Sequence, residues 1–299
     1  MADTDLLTVS RGGVQYKITR GELDAYLKPS APSLPPVDVP LGLYFGGQNK
    51  WLEQRTPLPS GVNKKTFTIS LWFRRNALST NMIMYIVEPS SQVTFNTSNV
   101  LTWYDAGTAS TLVPNLVFDN KTEWYHFVMA MDTTQAIETD RLKMYINGNR
   151  ITDFTTETYP ALNSNSSYWS STSGVNNFGG KDGVTTHLVA YMSEIIYVDG
   201  QALLPSDLGT TDESGEWVPA EYTGEFGSNG FYLNGVTSGT VFSDASGNGR
   251  TWQSLLTGGF NVVSTPITPT SGTLYKTQEV VNRVKLKTKR RFLKRKVKE

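Results

Sequence analysis

Cysteine is absent from the 299 residues, which excludes disulfides, zinc–thiolate centres, iron–sulfur ligation and thiol nucleophiles together and leaves the redox compartment unmarked. Histidine is nearly absent too. His126 and His187 are the only imidazoles, too few for a multi-histidine metal centre. No run of about 18 apolar residues exists, and the opening MADTDLL lacks the basic and apolar regions of a signal peptide, so a soluble chain outside the usual export route is expected. An excess of one charge sign is also missing, with 27 Lys and Arg against 27 Asp and Glu. That balance conceals a segregation: from Lys276 to Glu299 eleven bases stand against two acids, +9, so the preceding 275 residues carry −9. An acidic body with a cationic tail implies an anionic contact for the tail.

What is present reads as strand after strand. Leu6 to Val9, a turn at Arg11, Gly12 and Gly13, and Val14 to Ile18 predict a small hairpin. Thr19, three residues before Glu22, opens a capping box for a short helix ending near Leu27. Five prolines between Pro29 and Pro40 then make a semi-rigid extended spacer. From Leu41 to Gly200 no amphipathic helix interrupts the β pattern. Thr66 to Phe73 sets Phe67, Ile69, Leu71 and Phe73 on one face against Thr66, Thr68, Ser70 and Trp72 on the other. Met82 to Val87, Trp124 to Met131, Arg141 to Ile146 and Leu188 to Val198 follow, and Asn147-Gly148 is the strongest hairpin signal in the chain. The class is all-β, with two packed antiparallel sheets.

Four of these segments carry a resemblance. FTISLWFRR (67–75), EWYHFVMAMD (123–132), RLKMYINGNRI (141–151) and VAYMSEIIYVDGQAL (189–203) resemble, in order and spacing, the laminin G-like and pentraxin-like branch of the concanavalin A-like lectin/glucanase superfamily. The resemblance implies a jelly-roll sandwich, and function only weakly, because such a fold hosts lectins, hydrolases and scaffolds. EWVPAEYTGEFGSNGFYLNG (216–235) and DASGNGRTWQS (244–254) resemble a module that follows laminin G-like domains in bacteriophage tail-fibre and other structural proteins. DLLTVSRGGVQYKIT (5–19) resembles N-terminal segments of cyanophage-type virion proteins. The expected organisation is an N-terminal docking unit (1–28), a Pro-rich linker (29–40), a laminin G-like jelly roll (41–203), an accessory β region completing the domain (204–270) and a basic C-terminal tail (271–299).

Tests for chemistry mostly return negatives. A glucanase needs paired carboxylates about 5 Å apart, and no E-x-D-x-x-E run occurs; Glu138 and Asp140 sit in the polar stretch TTQAIETD and read as surface acids. No G-x-S-x-G nucleophile elbow is present. His126, between Trp124 and Val128, reads as a packed core or rim residue. DASGNG begins like a calcium loop but has Leu255 at position twelve, so a tight turn is the simpler reading. The resemblance implies that calcium could be held by scattered loop carboxylates such as Asp105, Asp119 or Asp132, without choosing among them; no other cofactor is implied.

Sugar binding would use aromatic rings beside amides and acids on loops of a rigid sandwich. Two stretches have that composition: Trp103, Tyr104 and Asp105 after Thr102, and the Ser/Asn-rich 163–177 with Tyr168 and Trp169. In the tail, Arg283, Lys285 and Lys287 alternate with apolar residues as an added edge strand would, and Lys289, Arg290, Arg291, Lys294, Arg295 and Lys296 follow. Its expected partner is an acidic protein surface, including a neighbouring subunit; nucleic acid fits less well because the body carries no stacking platform. The expectation is therefore a non-enzymatic bacteriophage virion protein with a lectin-like domain, a homo-oligomer synthesised in the host cytoplasm. It would act in host-surface glycan recognition as a tail or head fibre, or in capsid decoration, held by its N-terminal unit and basic tail to other virion proteins. A free secreted carbohydrate-binding module is the alternative, and a glycoside hydrolase stands behind it.

Overall fold

Alternating apolar residues dictate the architecture seen in the computed structural model. It describes residues 6–11, 14–19, 43–47, 50–54, 62–87, 91–167, 176–181, 183–213, 215–234, 237–238, 241–242 and 244–254. Contacts divide the chain into Met1–Val39 and Pro40–Glu299. In the first unit β1 (Leu6–Arg11) pairs antiparallel with β2 (Val14–Thr19), the expected hairpin. The expected helix beyond Thr19, the Pro-rich spacer, Tyr168, Trp169 and the basic tail lie outside the described residues.

The second unit runs β3 (Leu43–Gly46), β4 (Leu52–Gln54), β5 (Thr66–Arg75), β6 (Met82–Val87), β7 (Ser91–Phe95), β8 (Leu101–Asp105) and β9 (Ser110–Pro114). Next come β10 (Tyr125–Asp132), the four-residue helix α1 (Glu138–Arg141), β11 (Leu142–Ile146), β12 (Asn149–Arg150), β13 (Phe154–Thr158), β14 (Asn176–Phe178) and β15 (Val189–Asp199). The chain continues with β16 (Gly209–Thr211), β17 (Trp217–Pro219), β18 (Phe231–Leu233), β19 (Thr237–Ser238), β20 (Val241–Phe242) and β21 (Trp252–Ser254). A seven-stranded sheet has the order β12-β11-β10-β5-β15-β18, with β3 also on β15; a ten-stranded sheet has the order β13-β9-β8-β7-β6-β14-β4-β21-β20-β19. Both are antiparallel, and strands from 231–254 join each of them. The result is the two-sheet all-β sandwich expected of the concanavalin A-like jelly roll.

Phe67, Ile69, Leu71 and Phe73 point between the sheets, where they meet Tyr85, Phe95, Trp103, Phe178 and Trp252 in one continuous core. Burying each of these side chains contributes about 1.5–3 kcal/mol. Asn147 (φ +48°) and Gly148 (φ +79°) turn β11 into β12, both in the left-handed region that the two-residue hairpin requires. The opposite face of the seven-stranded sheet is buried as well. Val128, Ala130, Tyr145, Ile196 and Val198 pack under Leu203, Leu208, Tyr222, Phe226 and Tyr232. Residues 203–232 therefore roof this sheet, which is why Thr68, Ser70 and Trp72, read from sequence as the second face of β5, are buried too.

Candidate functional site

Ser70 and His126, diagonal neighbours across β5 and β10, come closest to a catalytic pair. Ser70 Oγ lies 2.8 Å from His126 Nε2, and Trp217 Nε1 donates to His126 Nδ1 at 2.9 Å. An indole N–H only donates, so Nδ1 carries the lone pair and the proton sits on Nε2, aimed at the serine oxygen. That tautomer cannot accept the serine proton. The ring is stacked on Trp72 at 4.8 Å and fully buried, and desolvation pushes its pKa down to about 3. Gly148 and Gly209 shape the cradle for Trp217: a Cβ on either would lie within 3.0 Å of the indole. His126 is a neutral structural wedge beneath the roof.

The carboxylates are similarly committed. Asp140 pairs with Arg150 at 3.3 Å and with Lys143 at 3.6 Å, a half-buried cluster beside Glu138 on α1. Glu194 occupies a bulge in β15 at φ +49° and accepts the Tyr232 hydroxyl at 2.5 Å; burial raises its pKa against the lowering effect of that bond. Asp132 accepts hydrogen bonds from Thr66, Thr134 and Gln135. Among the described residues no group of three or more His, Asp or Glu side chains is placed to hold a metal ion.

Two of the expected sugar-binding residues must be corrected. Residues 101–105 form strand β8 instead of a loop, and strand alternation turns Trp103 and Asp105 inward. Trp103 is wholly buried in the core. Asp105 is also wholly buried; its Oδ1 accepts from Ser91 Oγ, Gly107 N and Ser167 N, and its Oδ2 accepts from Thr108 Oγ1, at 2.9–3.0 Å. It ties a turn together and offers a ligand nothing, calcium included. Tyr104 points the other way and is 37% exposed.

Around Tyr104 the register assembles a surface that sequence reasoning missed. Thr111, Tyr104, Gln92, Ile86, Asn177 and Glu53 stand directly opposite one another across β9, β8, β7, β6, β14 and β4. Glu53, Asn177 and Ile86 are buried, whereas Gln92, Tyr104 and Thr111 reach solvent, and Thr94 faces Thr102 in the row beside them. The outer face of β7–β9 thus presents one ring, one amide and three hydroxyls with no charge among them. The signal was available: SQVTF, LTWYD and STLVP each alternate with period two and place these residues on one side.

The glycine-rich runs 226–232 and 244–250 turn out to brace each other. Asp244 accepts from the backbone N–H groups of Tyr232, Ser246 and Arg250. Asn248 donates to the carbonyls of Gly227 and Gly230, and Arg250 donates to Ser228 O and Asn229 Oδ1. Asn229 in turn donates to Asp199 at the end of β15, at 2.7 Å. DASGNG is therefore a tight turn, as expected. Asp244→Ala leaves three N–H groups without their acceptor and is expected to cost about 2–4 kcal/mol, read as a lowered midpoint in thermal or urea unfolding.

Comparisons with known proteins agree with this architecture. Residues 47–195 match the family model described as concanavalin A-like lectin/glucanases superfamily, of the laminin G type. A Bacteroides ovatus structure described as a "putative carbohydrate binding protein" superposes with a TM-score of 0.50 at 12% identity, covering 71% of this chain. This chain spans 57% of that protein's length. A Limulus polyphemus pentraxin (15% identity, 56% of this chain and 79% of that one, TM-score 0.39) and the LG4-5 domains of the mouse laminin α1 chain (14%, 68% and 49%, TM-score 0.37) are further matches. No curated protein matches the chain. Residues 47–195 thus match the concanavalin A-like lectin/glucanases superfamily, of the laminin G type, and the two-sheet sandwich is the fold expected of it.

Proposed function

We propose that this protein is a non-catalytic carbohydrate-recognition protein of a bacteriophage particle, which uses its lectin-like sandwich to engage neutral glycans on the host surface. One observation carries the binding role: one sheet is roofed by residues 203–232, whereas the outer face of β7–β9 brings Gln92, Tyr104 and Thr111 to solvent in one row, groups that both donate and accept hydrogen bonds. A ring beside hydroxyls and an amide suits a sugar, which offers a C–H face and hydroxyl edges. The donor tautomer at His126 and the committed carboxylates favour binding without turnover. The virion setting rests on the sequence resemblance of 216–235, 244–254 and 5–19, with the N-terminal unit and the basic tail from Arg283 to Lys296 as attachment segments to other virion proteins.

Glycan-array binding by the full chain tests the recognition role. Tyr104→Ala is expected to weaken the strongest neutral ligand at least tenfold in a variant that still unfolds cooperatively. Unchanged binding would remove the β7–β9 face as the site. Immunogold electron microscopy with an antibody to the sandwich tests the setting: label on fibres or tail supports adsorption, label over the head supports decoration, and unlabelled particles would favour a free secreted carbohydrate-binding module.

A further inference from the structure

Beyond the roof of residues 203–232, the outer face of the seven-stranded sheet carries a second cluster. Register places Tyr44 of β3, Tyr191 of β15 and Arg74 of β5 directly opposite one another in one row. All three are half-buried, as is Trp124, which precedes β10. The Arg74 guanidinium lies 4.5 Å from the Tyr191 ring centroid and 5.6 Å from that of Trp124. Tyr44 continues the aromatic surface, 4.7 Å from Tyr191, and its hydroxyl accepts from Asn76 Nδ2 at 3.0 Å.

The cluster holds unused donors and positive charge. Among the described residues Arg74 makes no ion pair, and Trp124 Nε1 is buried with no hydrogen-bond partner. Lys50 adds a second cation beside Tyr44, since its Nζ would lie 3.6 Å from a Cβ on Gly46. Glu123, the acid that precedes Trp124, lies near the Tyr125 phenol, whose pKa is raised by burial and then by Glu123. A guanidinium held by ring faces keeps its N–H edges free and loses little freedom on binding, so it suits a planar anion taken by two hydrogen bonds. The flanking rings of Tyr44 and Trp124 suit the C–H face of a sugar.

We propose that Arg74, Trp124, Tyr191 and Tyr44 form a binding site for an acidic sugar, with the carboxylate of a hexuronate seated on the Arg74 guanidinium. The site is separate from the β7–β9 face and gives the protein a second specificity, for charged glycans. Calorimetric titration of the full chain with a galacturonate oligosaccharide and with its methyl ester tests it, because esterification removes the charge and keeps the backbone. The acid form is expected to bind at least tenfold more tightly than the ester, and to weaken as salt rises. Arg74→Gln abolishes the preference; Arg74→Lys keeps the charge but not the fork and recovers only part of it. Should Arg74→Gln fail to fold, Trp124→Leu, which removes the flanking ring, is expected to weaken the acid form several-fold.

Equal affinity for acid and ester, no binding of the acid form, or an undiminished preference in a folded Arg74→Gln variant would overturn the proposal. Neutral-glycan binding that persists in Arg74→Gln while acid binding is lost separates this site from the one around Tyr104; neutral binding without any acid binding would sink this site alone.

Discussion

Acidification from pH 7 to pH 4.5 is expected to cost the sandwich about 3 kcal/mol through His126. Burial holds the folded-state pKa near 3 against an ordinary value of 6.5. The sign follows from proton counting. Between those two values the unfolded chain binds a proton that the folded chain refuses, so stability is complete above about pH 6.5 and falls steadily as pH drops towards 3. The physical cause is that the buried ring has no acid to pair with: its nitrogens meet Trp217 Nε1 and Ser70 Oγ, and Trp72 covers its face. Two carboxyls modify the profile. Glu194, with a raised pKa, gains stability as it protonates and opposes the loss, whereas Asp132, with a lowered one, adds to the loss only at still lower pH. Comparing unfolding midpoints of the parent and His126→Gln between pH 7 and pH 4.5 isolates the imidazole, since both carboxyls are common to them. The variant should show a slope about 3 kcal/mol smaller across that window, and parallel profiles would contradict the account.

Gly227→Ala and Gly230→Ala should each destabilise the domain by about 3 kcal/mol or more, a size set by a forced backbone shift in both and by left-handed strain as well at Gly227. Gly227 sits at φ +72°, and a Cβ there would lie 2.3 Å from the Asp199 carbonyl oxygen. At Gly230 the added carbon would lie 2.0 Å from the Phe226 carbonyl oxygen. In both cases the obstacle is main chain and cannot rotate aside. Moving the loop breaks the Asn229–Asp199 and Asn248 hydrogen bonds and lifts Phe226 and Tyr232 from the outer cluster under the roof. Hydrogen exchange should accelerate at Phe231–Leu233 and along the end of β15 in either variant, while Gly247→Ala, where a Cβ meets nothing within 4 Å, should show only the milder cost of its left-handed φ of +85°.

The sandwich was legible because its code is local. Alternation in 66–73, the Asn147-Gly148 turn and the apolar runs at 82–87 and 188–198 each fix an element from neighbouring residues alone. What escaped was register. Gln92, Tyr104 and Thr111 are each unremarkable in sequence, and they become a surface only because β7, β8 and β9 align them. Trp103 and Asp105 misled for a related reason: an aromatic, polar string looks like a binding loop until a strand turns alternate residues inward. The roof was hidden as well, because residues 203–232 contain mostly irregular chain whose apolar residues are widely spaced. The runs 216–235 and 244–254 could be read as one module but not as bracing each other, since the hydrogen bonds that unite them span about twenty residues.

Amide chemical-shift mapping on the full chain, titrated with the neutral glycan that binds most tightly, tests the central claim most directly. The account predicts that the largest perturbations fall on Gln92–Thr94, Thr102–Tyr104 and Thr111, with the signals of Val128, Ala130 and Ile196 beneath the roof unmoved. Perturbations centred on residues 203–232, or a saturable interaction that leaves β7–β9 untouched, would contradict it.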